Sequence, residues 1–110
     1  MDKYVNDRDE VAVLYSPGFG AGWYSWTDGS NTDMLFDVKL VRWVLDDKPT
    51  DQATEIESYI KKTYPDAYCG SNIYNMKIAW VPYGTRFRIH EYDGAESVIL
   101  ERNEKWIEAS

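Results

Sequence analysis

The chain has 110 residues, 44% of them hydrophobic, and its 12 basic and 19 acidic side chains give a formal net charge of -7. The length suits one domain with one core. The acidity argues against a protein that coats long nucleic acid or binds a membrane surface through basic residues, because both need clustered Lys and Arg. The longest apolar stretch, residues 40–45, is interrupted by Arg42 and is far shorter than the roughly 20 residues that cross a bilayer.

The start of the chain is polar. Residues 1–10 lack the hydrophobic stretch of a signal peptide, and they suggest a lead-in that is mobile at its start. Cys69 is the single cysteine, which rules out an internal disulfide and suits a reducing compartment. We therefore expect a cytoplasmic protein with a single domain over residues 1–110.

The first predicted strand covers residues 11–15, an apolar run rich in β-formers. Residues 16–33 follow as a long loop with four glycines and several aromatic residues. Loops of this length in compact domains are usually functional or disordered, and the aromatic residues speak against disorder.

Two helices are predicted next. Asp33 is placed to cap a helix that starts near Met34 and runs to Leu45, with more than half of its circumference apolar. Thr50 is placed to cap a second, amphipathic helix that ends at Tyr64.

The remaining segments alternate as strands do. Residues 76–81, 85–92 and 95–101 are predicted strands, and Asp93-Gly94 is a strong two-residue hairpin signal. Residues 106–107 are expected to pack the tail. The order of elements predicts an α+β fold, with two consecutive helices packed on a mostly antiparallel sheet.

Residues suited to catalysis are few. The chain has one histidine, His90, and one cysteine, and no spacing typical of metal ligands. A pairing of Cys69 with His90 is possible, but a small residue near a turn is the favoured interpretation of Cys69. We expect no metal and no cofactor, and these residues give an enzyme no support without excluding one.

The glycine-rich loop is a candidate ligand site. Glycines at alternating positions from Gly18 to Gly22 let backbone N–H groups approach an anion closely. Tyr15, Trp23 and Trp26 offer flat faces for stacking on bases, and Ser16, Ser25 and Thr27 offer hydroxyls. The alternative is a tight loop whose aromatic residues belong to the core.

A basic stripe is predicted on the strand over residues 85–92. Arg86, Arg88 and His90 share one face there, and arginine forks match phosphate oxygens. The alternative is a solvated face paired with carboxylates. Together with the glycine loop, the stripe predicts a small anionic ligand.

Three segments carry a resemblance to a known family. They are VLYSPGFGAGW at residues 13–23, YPDAYCG at residues 64–70 and WVPYGTRFRIHEYDGAE at residues 80–96. The pattern resembles a family of small phage-encoded proteins that we associate with immune evasion. Such proteins, called sponges, bind and sequester the cyclic-nucleotide signal of the bacterial CBASS defence.

The resemblance implies a non-catalytic, cytoplasmic homo-oligomer in the infected host, which binds a cyclic dinucleotide or trinucleotide without cleaving it. It implies that the protein binds neither long nucleic acid nor a membrane. The ligand-binding residues that it suggests are Tyr15, Ser16, Gly18, Gly20, Gly22, Trp23, Thr85, Arg86, Arg88 and Tyr92.

Two other functions stay open. An acidic phage inhibitor would bind a host defence protein directly, as DNA mimics or anti-CRISPR proteins do, through carboxylates such as Asp46, Asp47, Asp51 and Glu55. Those carboxylates are also what a solvated helical corner contains. A nucleotide-processing enzyme is the third possibility.

Overall fold

The computed structural model describes residues 3–18, 22–25, 27, 29, 31–67 and 73–101. Its main elements are β1 (Glu10–Tyr15), α1 (Val38–Leu45), α2 (Ala53–Thr63), β2 (Lys77–Pro82), β3 (Phe87–Tyr92) and β4 (Ala95–Leu100). This confirms the predicted α+β class, with consecutive helices between the first strand and the later ones. The predictions for Gly20, Trp26, Cys69 and residues 106–107 lie outside the described residues.

The described strands form two antiparallel pairs instead of one continuous sheet. β1 pairs with β2, with Leu14 opposite Ile78, and β3 pairs with β4, with Phe87 opposite Leu100. A backbone hydrogen bond links the second pair to the end of β1: the Glu96 N–H donates to the Ser16 carbonyl at 2.7 Å. The β3–β4 pair therefore packs on β1 and β2 without extending their sheet.

The turn between β3 and β4 is the predicted hairpin. Asp93 and Gly94 have φ values of 52° and 84°. Two central residues with positive φ are the signature of a type I′ turn, whose twist matches that of the flanking strands. The Asp93-Gly94 prediction is confirmed.

The core lies on both faces of β1. On one face, Ala12 and Leu14 pack with Trp23 and with the buried residues of both helices. On the other face, Val13 packs with Leu35 and Val81. This second cluster is covered by apolar side chains of the β3–β4 pair, which are Phe87, Ile89, Val98 and Leu100. The β3–β4 pair is therefore apolar on its inner face.

Both predicted helix starts were wrong. Residues Thr32–Leu35 form a 3-10 turn, and α1 begins only at Val38, where the Asp37 side chain accepts from the Leu40 N–H at 3.1 Å. A 3-10 turn at Thr50–Gln52 likewise precedes α2, so Thr50 lies inside a turn and does not cap the helix. No helix within the described ranges is long and apolar enough to span a bilayer.

The polar lead-in folds back along β1. The Ala12 N–H donates to the Tyr4 carbonyl at 2.9 Å, and Val5 forms an antiparallel bridge with Val11. These contacts place Lys3 beside the second core cluster, with its ammonium 4.5 Å from the centroid of the Phe36 ring.

Candidate functional site

The glycine-rich loop is tied to β4 by one carboxylate, that of Glu96. Its Oε1 accepts from the Ser16 N–H at 2.9 Å. Its Oε2 accepts from the Trp23 N–H at 3.1 Å, from the Ser25 N–H at 2.7 Å and from the Ser25 hydroxyl at 2.6 Å. Glu96 is only 3% exposed, so this is a buried charge held by four donors.

This arrangement changes the expected role of the loop. Backbone N–H groups do converge on an anion here, as the glycine pattern predicted, but the anion is the protein's own Glu96. The donors of Ser16, Trp23 and Ser25 are therefore already occupied. Gly22 is buried and Gly18 is half-buried. The Ser16 hydroxyl oxygen is buried and has no hydrogen-bond partner among the described residues.

Trp23 belongs to the core. Its side chain has 0% exposure, its indole N–H donates to the Met34 carbonyl at 3.2 Å, and its ring meets the Tyr64 ring edge-on at 5.9 Å. A buried ring offers no face on which a base can stack, so the stacking role predicted for Trp23 does not fit this structure. Tyr15 is half-buried at the end of β1, opposite Lys77.

The basic stripe lies on the outer face of the β3–β4 pair. Arg88, His90 and Tyr92 are exposed, while Phe87 and Ile89, which alternate with them, are partly covered. This confirms the predicted alternation. The Arg86 side chain is 86% exposed, and its Nε lies 3.2 Å from a Glu101 carboxylate oxygen.

The two predicted halves of the site lie on opposite faces of this pair. Glu96 is opposite Glu91 in the register, on the face that carries Phe87, whereas Arg88 points to the other face. Side chains alternate with a period of two, so an odd separation along β3 places residues on different faces. One chain therefore does not join the glycine loop and the arginines into the single pocket that the sequence predicted.

A groove lies beside the turn that joins β2 to β3. Its volume is about 310 Å³, and its lining residues are Lys3, Val11, Phe36, Val81, Pro82, Tyr83, Gly84, Thr85 and Phe87. Thr85 is the predicted site residue that lines it. The groove therefore combines one ammonium, the hydroxyls of Tyr83 and Thr85, and three aromatic rings.

Lys3, Phe36 and Tyr83 also line this groove, and they are not among the predicted site residues. Lys3 comes from the lead-in and Phe36 from the 3-10 turn region, and nothing in their local sequence connects them. Tyr83 lies between Pro82 and Gly84 in the predicted turn, and an aromatic residue in a turn is a sequence signal that could have identified it. In the structure Tyr83 is 74% exposed. Phe36 and Phe87 meet edge-on, with their centroids 6.0 Å apart.

The proposed acidic corner carries charges of both signs. Asp46, Asp47 and Asp51 are exposed there, but Glu55 pairs with Lys39 at 2.9 Å. Arg42 lines the same shallow surface as Asp46 and Glu55. The described residues contain no cluster of three or more Asp, Glu, His or Cys side chains able to hold a metal ion.

Comparisons with protein families, with curated proteins and with solved structures find no match for this chain. The geometry above and the resemblance of its motifs are therefore the basis for a proposed function.

Proposed function

We propose that this protein binds a cyclic dinucleotide or trinucleotide signal and holds it intact, as a phage protein acting in the cytoplasm of the infected bacterium. The motif resemblance suggests this activity. The observation that carries the proposal is the exposed row formed by Arg86, Arg88 and His90 on a chain whose net charge is -7. A local positive face on an acidic protein favours a small anionic ligand over long nucleic acid.

The arginines are available for phosphate. Arg88 has no salt-bridge partner within 4.0 Å in the described part of the chain, where the ion pairs are those of Lys39 with Glu55 and of Arg86 with Glu101. The Arg86 pair is exposed on both sides, and such pairs contribute only about 0–1 kcal/mol. A phosphate can therefore replace Glu101 at little cost, and each guanidinium can bind two of its oxygens.

Sequestration requires no bond to be broken. The ligand is removed from the host's signalling pool by binding alone, so the protein must be abundant and its Kd must lie at or below the signal concentration. The resemblance implies a homo-oligomer. The arginines lie on the outer face of the β3–β4 pair, which is exposed in a single chain. A second copy of the chain would cover this face and enclose the ligand.

The first test is calorimetry with cyclic di-AMP, cyclic di-GMP, cyclic GMP-AMP and cyclic triadenylate. The complex is then heat-denatured, and the released nucleotide is identified by chromatography. We expect tight binding of at least one nucleotide and its return unaltered. Return of an altered nucleotide would instead make the protein an enzyme.

Arg88→Ala tests the role of the basic face. We expect it to weaken binding by about 10- to 150-fold, because a charge-assisted hydrogen bond contributes about 1.5–3 kcal/mol. Arg42→Ala is the matched control, since Arg42 is an exposed arginine on α1. Equal affinities for these two variants would remove Arg88 from the site. If no nucleotide in the panel binds, the proposal fails, and pull-downs with host proteins would test the direct-inhibitor alternative.

A further inference from the structure

The groove beside the β2–β3 turn has no role in the function as proposed so far. We infer that it holds one base of the ligand while Arg86, directly before β3, binds a phosphate. This inference rests on the proposed function and adds the place where the base is recognised. The residues that would recognise it are Lys3, Phe36, Tyr83 and Thr85.

The size of the groove suits part of a cyclic nucleotide. Ligand pockets typically have volumes of about 300–1,000 Å³, and the 310 Å³ of this groove lies at the lower end of that range. That volume is suited to one nucleoside and not to a whole cyclic dinucleotide. The rest of the ligand would remain outside the groove, beside the exposed Arg86.

The walls of the groove suit a flat ring. Val11 and Val81 form apolar wall, and Phe36 and Phe87 add aromatic surface. Tyr83 is 74% exposed at the rim, so its ring is accessible to a base. Stacking on aromatic side chains is a general way to hold bases, because every base has a π-face.

Charge complementarity points to the same ligand. The Lys3 ammonium lies on the groove, over the Phe36 ring at 4.5 Å, and is exposed to solvent. Thr85 lines the groove, and the next residue, Arg86, is 86% exposed on its side chain. Thr85 and Arg86 lie directly before β3, with Cα atoms about 3.8 Å apart, so the ligand would pass from the groove to Arg86 around the end of the strand. A ligand with a base joined to phosphate matches this order of groups.

The test is calorimetry of groove variants with the same four cyclic nucleotides. Tyr83→Ala should weaken binding by about 5- to 150-fold, the effect of losing one stacked base. Tyr83→Phe keeps the ring and should bind within about 2-fold of the unaltered protein. Lys3→Ala should weaken binding and Lys3→Arg should restore it. Lys61→Ala, at an exposed position of α2, is the matched charge control.

A spectroscopic readout separates stacking from an effect on folding. The ring-proton NMR signals of Tyr83 should shift upfield on binding of the cyclic nucleotide, and ribose 5-phosphate, which has no base, should not cause this shift. Urea unfolding of each variant checks that it folds. Tyr83 is exposed in a turn, so Tyr83→Ala should unfold near the midpoint of the unaltered protein.

The outcomes distinguish this inference from the proposed function. If Arg88→Ala weakens binding while Tyr83→Ala and Lys3→Ala do not, the groove inference is wrong and the proposed function stands. If both groove variants weaken binding and the Tyr83 signals shift, the inference is supported. If none of the four nucleotides binds the unaltered protein, both are overturned.

Discussion

Asp37 is a carboxylate enclosed in the apolar core at the start of α1. It is 1% exposed, and it caps the helix through the Leu40 N–H. Its other oxygen accepts from the Tyr59 hydroxyl at 2.7 Å and from the Tyr64 hydroxyl. A buried charge is tolerated only when its oxygens are hydrogen-bonded, and these donors meet that need. One residue thus joins the start of α1 to α2.

This contact makes stability sensitive to high pH. Burial, with the hydrogen bond to Asp37 and its charge, raises the pKa of Tyr59 from 10.0 to about 12, and the same causes raise the pKa of Tyr64. A raised pKa in the folded state stabilises the protein fully below the unfolded value, and that stabilisation is lost as pH rises toward the folded value. The free energy of unfolding should therefore fall between pH 10 and about pH 12.

Tyr59→Phe should make the fall of the free energy of unfolding less steep in this window, because one of the two tyrosines with a raised pKa is gone while Tyr64 remains. The measurement is urea unfolding of both proteins at several pH values across that window, taken as the difference between them. Other groups titrate in both proteins and cancel in this difference. Tyr83→Phe, at an exposed position, is the control and should leave the profile unchanged. Equal slopes for Tyr59→Phe and the unaltered protein would contradict the account.

At the scale of single elements, the β3–β4 hairpin depends on its turn. Gly94 has a φ of 84°, where a side chain is strained, and it is buried. Gly94→Ala should lower the free energy of unfolding by about 1 kcal/mol or more. Gly94→Asn should cost less, because asparagine tolerates positive φ better than alanine.

Gly84→Ala is the matched control for this prediction. Gly84 has a φ of 83°, and a Cβ there meets nothing within 4 Å, so the variant measures backbone strain alone. Thermal or urea unfolding of the three variants gives the comparison. A Gly94→Ala protein as stable as the unaltered one would show that the turn does not determine the hairpin.

The start of α1 shows how elements depend on their surroundings. Asp33 and Asp37 are both suitable capping residues by type. Asp37 caps α1 in the structure. Its second oxygen accepts from Tyr59 in α2 and from Tyr64, which directly follows α2. Asp33 instead lies in the 3-10 turn. Asp33 and Asp37 are alike by type, and the contact between Asp37 and Tyr59, 22 positions apart, distinguishes the residue that caps α1.

At the scale of the whole molecule, Glu96 joins the glycine-rich loop to the β3–β4 pair across 80 positions of sequence. Glu96→Gln keeps the size of the side chain but replaces one acceptor oxygen with an amide donor that faces N–H groups. Leaving buried donors unpaired costs about 1–3 kcal/mol each. We expect Glu96→Gln to lower the free energy of unfolding by about 2 kcal/mol or more.

The control for this variant is Glu101→Gln, at an exposed carboxylate paired with Arg86, which should change stability by less than about 1 kcal/mol. Urea unfolding measures both. Hydrogen exchange of the Trp23 and Ser25 amides adds a local readout, and exchange should accelerate in Glu96→Gln. If both variants unfold alike and those amides stay protected, Glu96 does not hold the loop.

Local patterns along the chain predicted the class of fold and most of its elements. Hydrophobic periods of about 3.6 and 2 residues indicated two helices and the strands, and Asp93-Gly94 identified the hairpin, because these signals depend on neighbours along the chain. The alternation of Arg88 with Phe87 also predicted which side chains are exposed.

Which group lies opposite each surface depends on how the elements pack in three dimensions. It placed Trp23 in the core, gave the loop N–H groups to Glu96, and brought Lys3 to the groove beside Thr85. These pairings join residues that are far apart in sequence, and many carboxylates could have filled the place of Glu96. Local patterns define which face a residue occupies, whereas the packing of one element on another selects its partner.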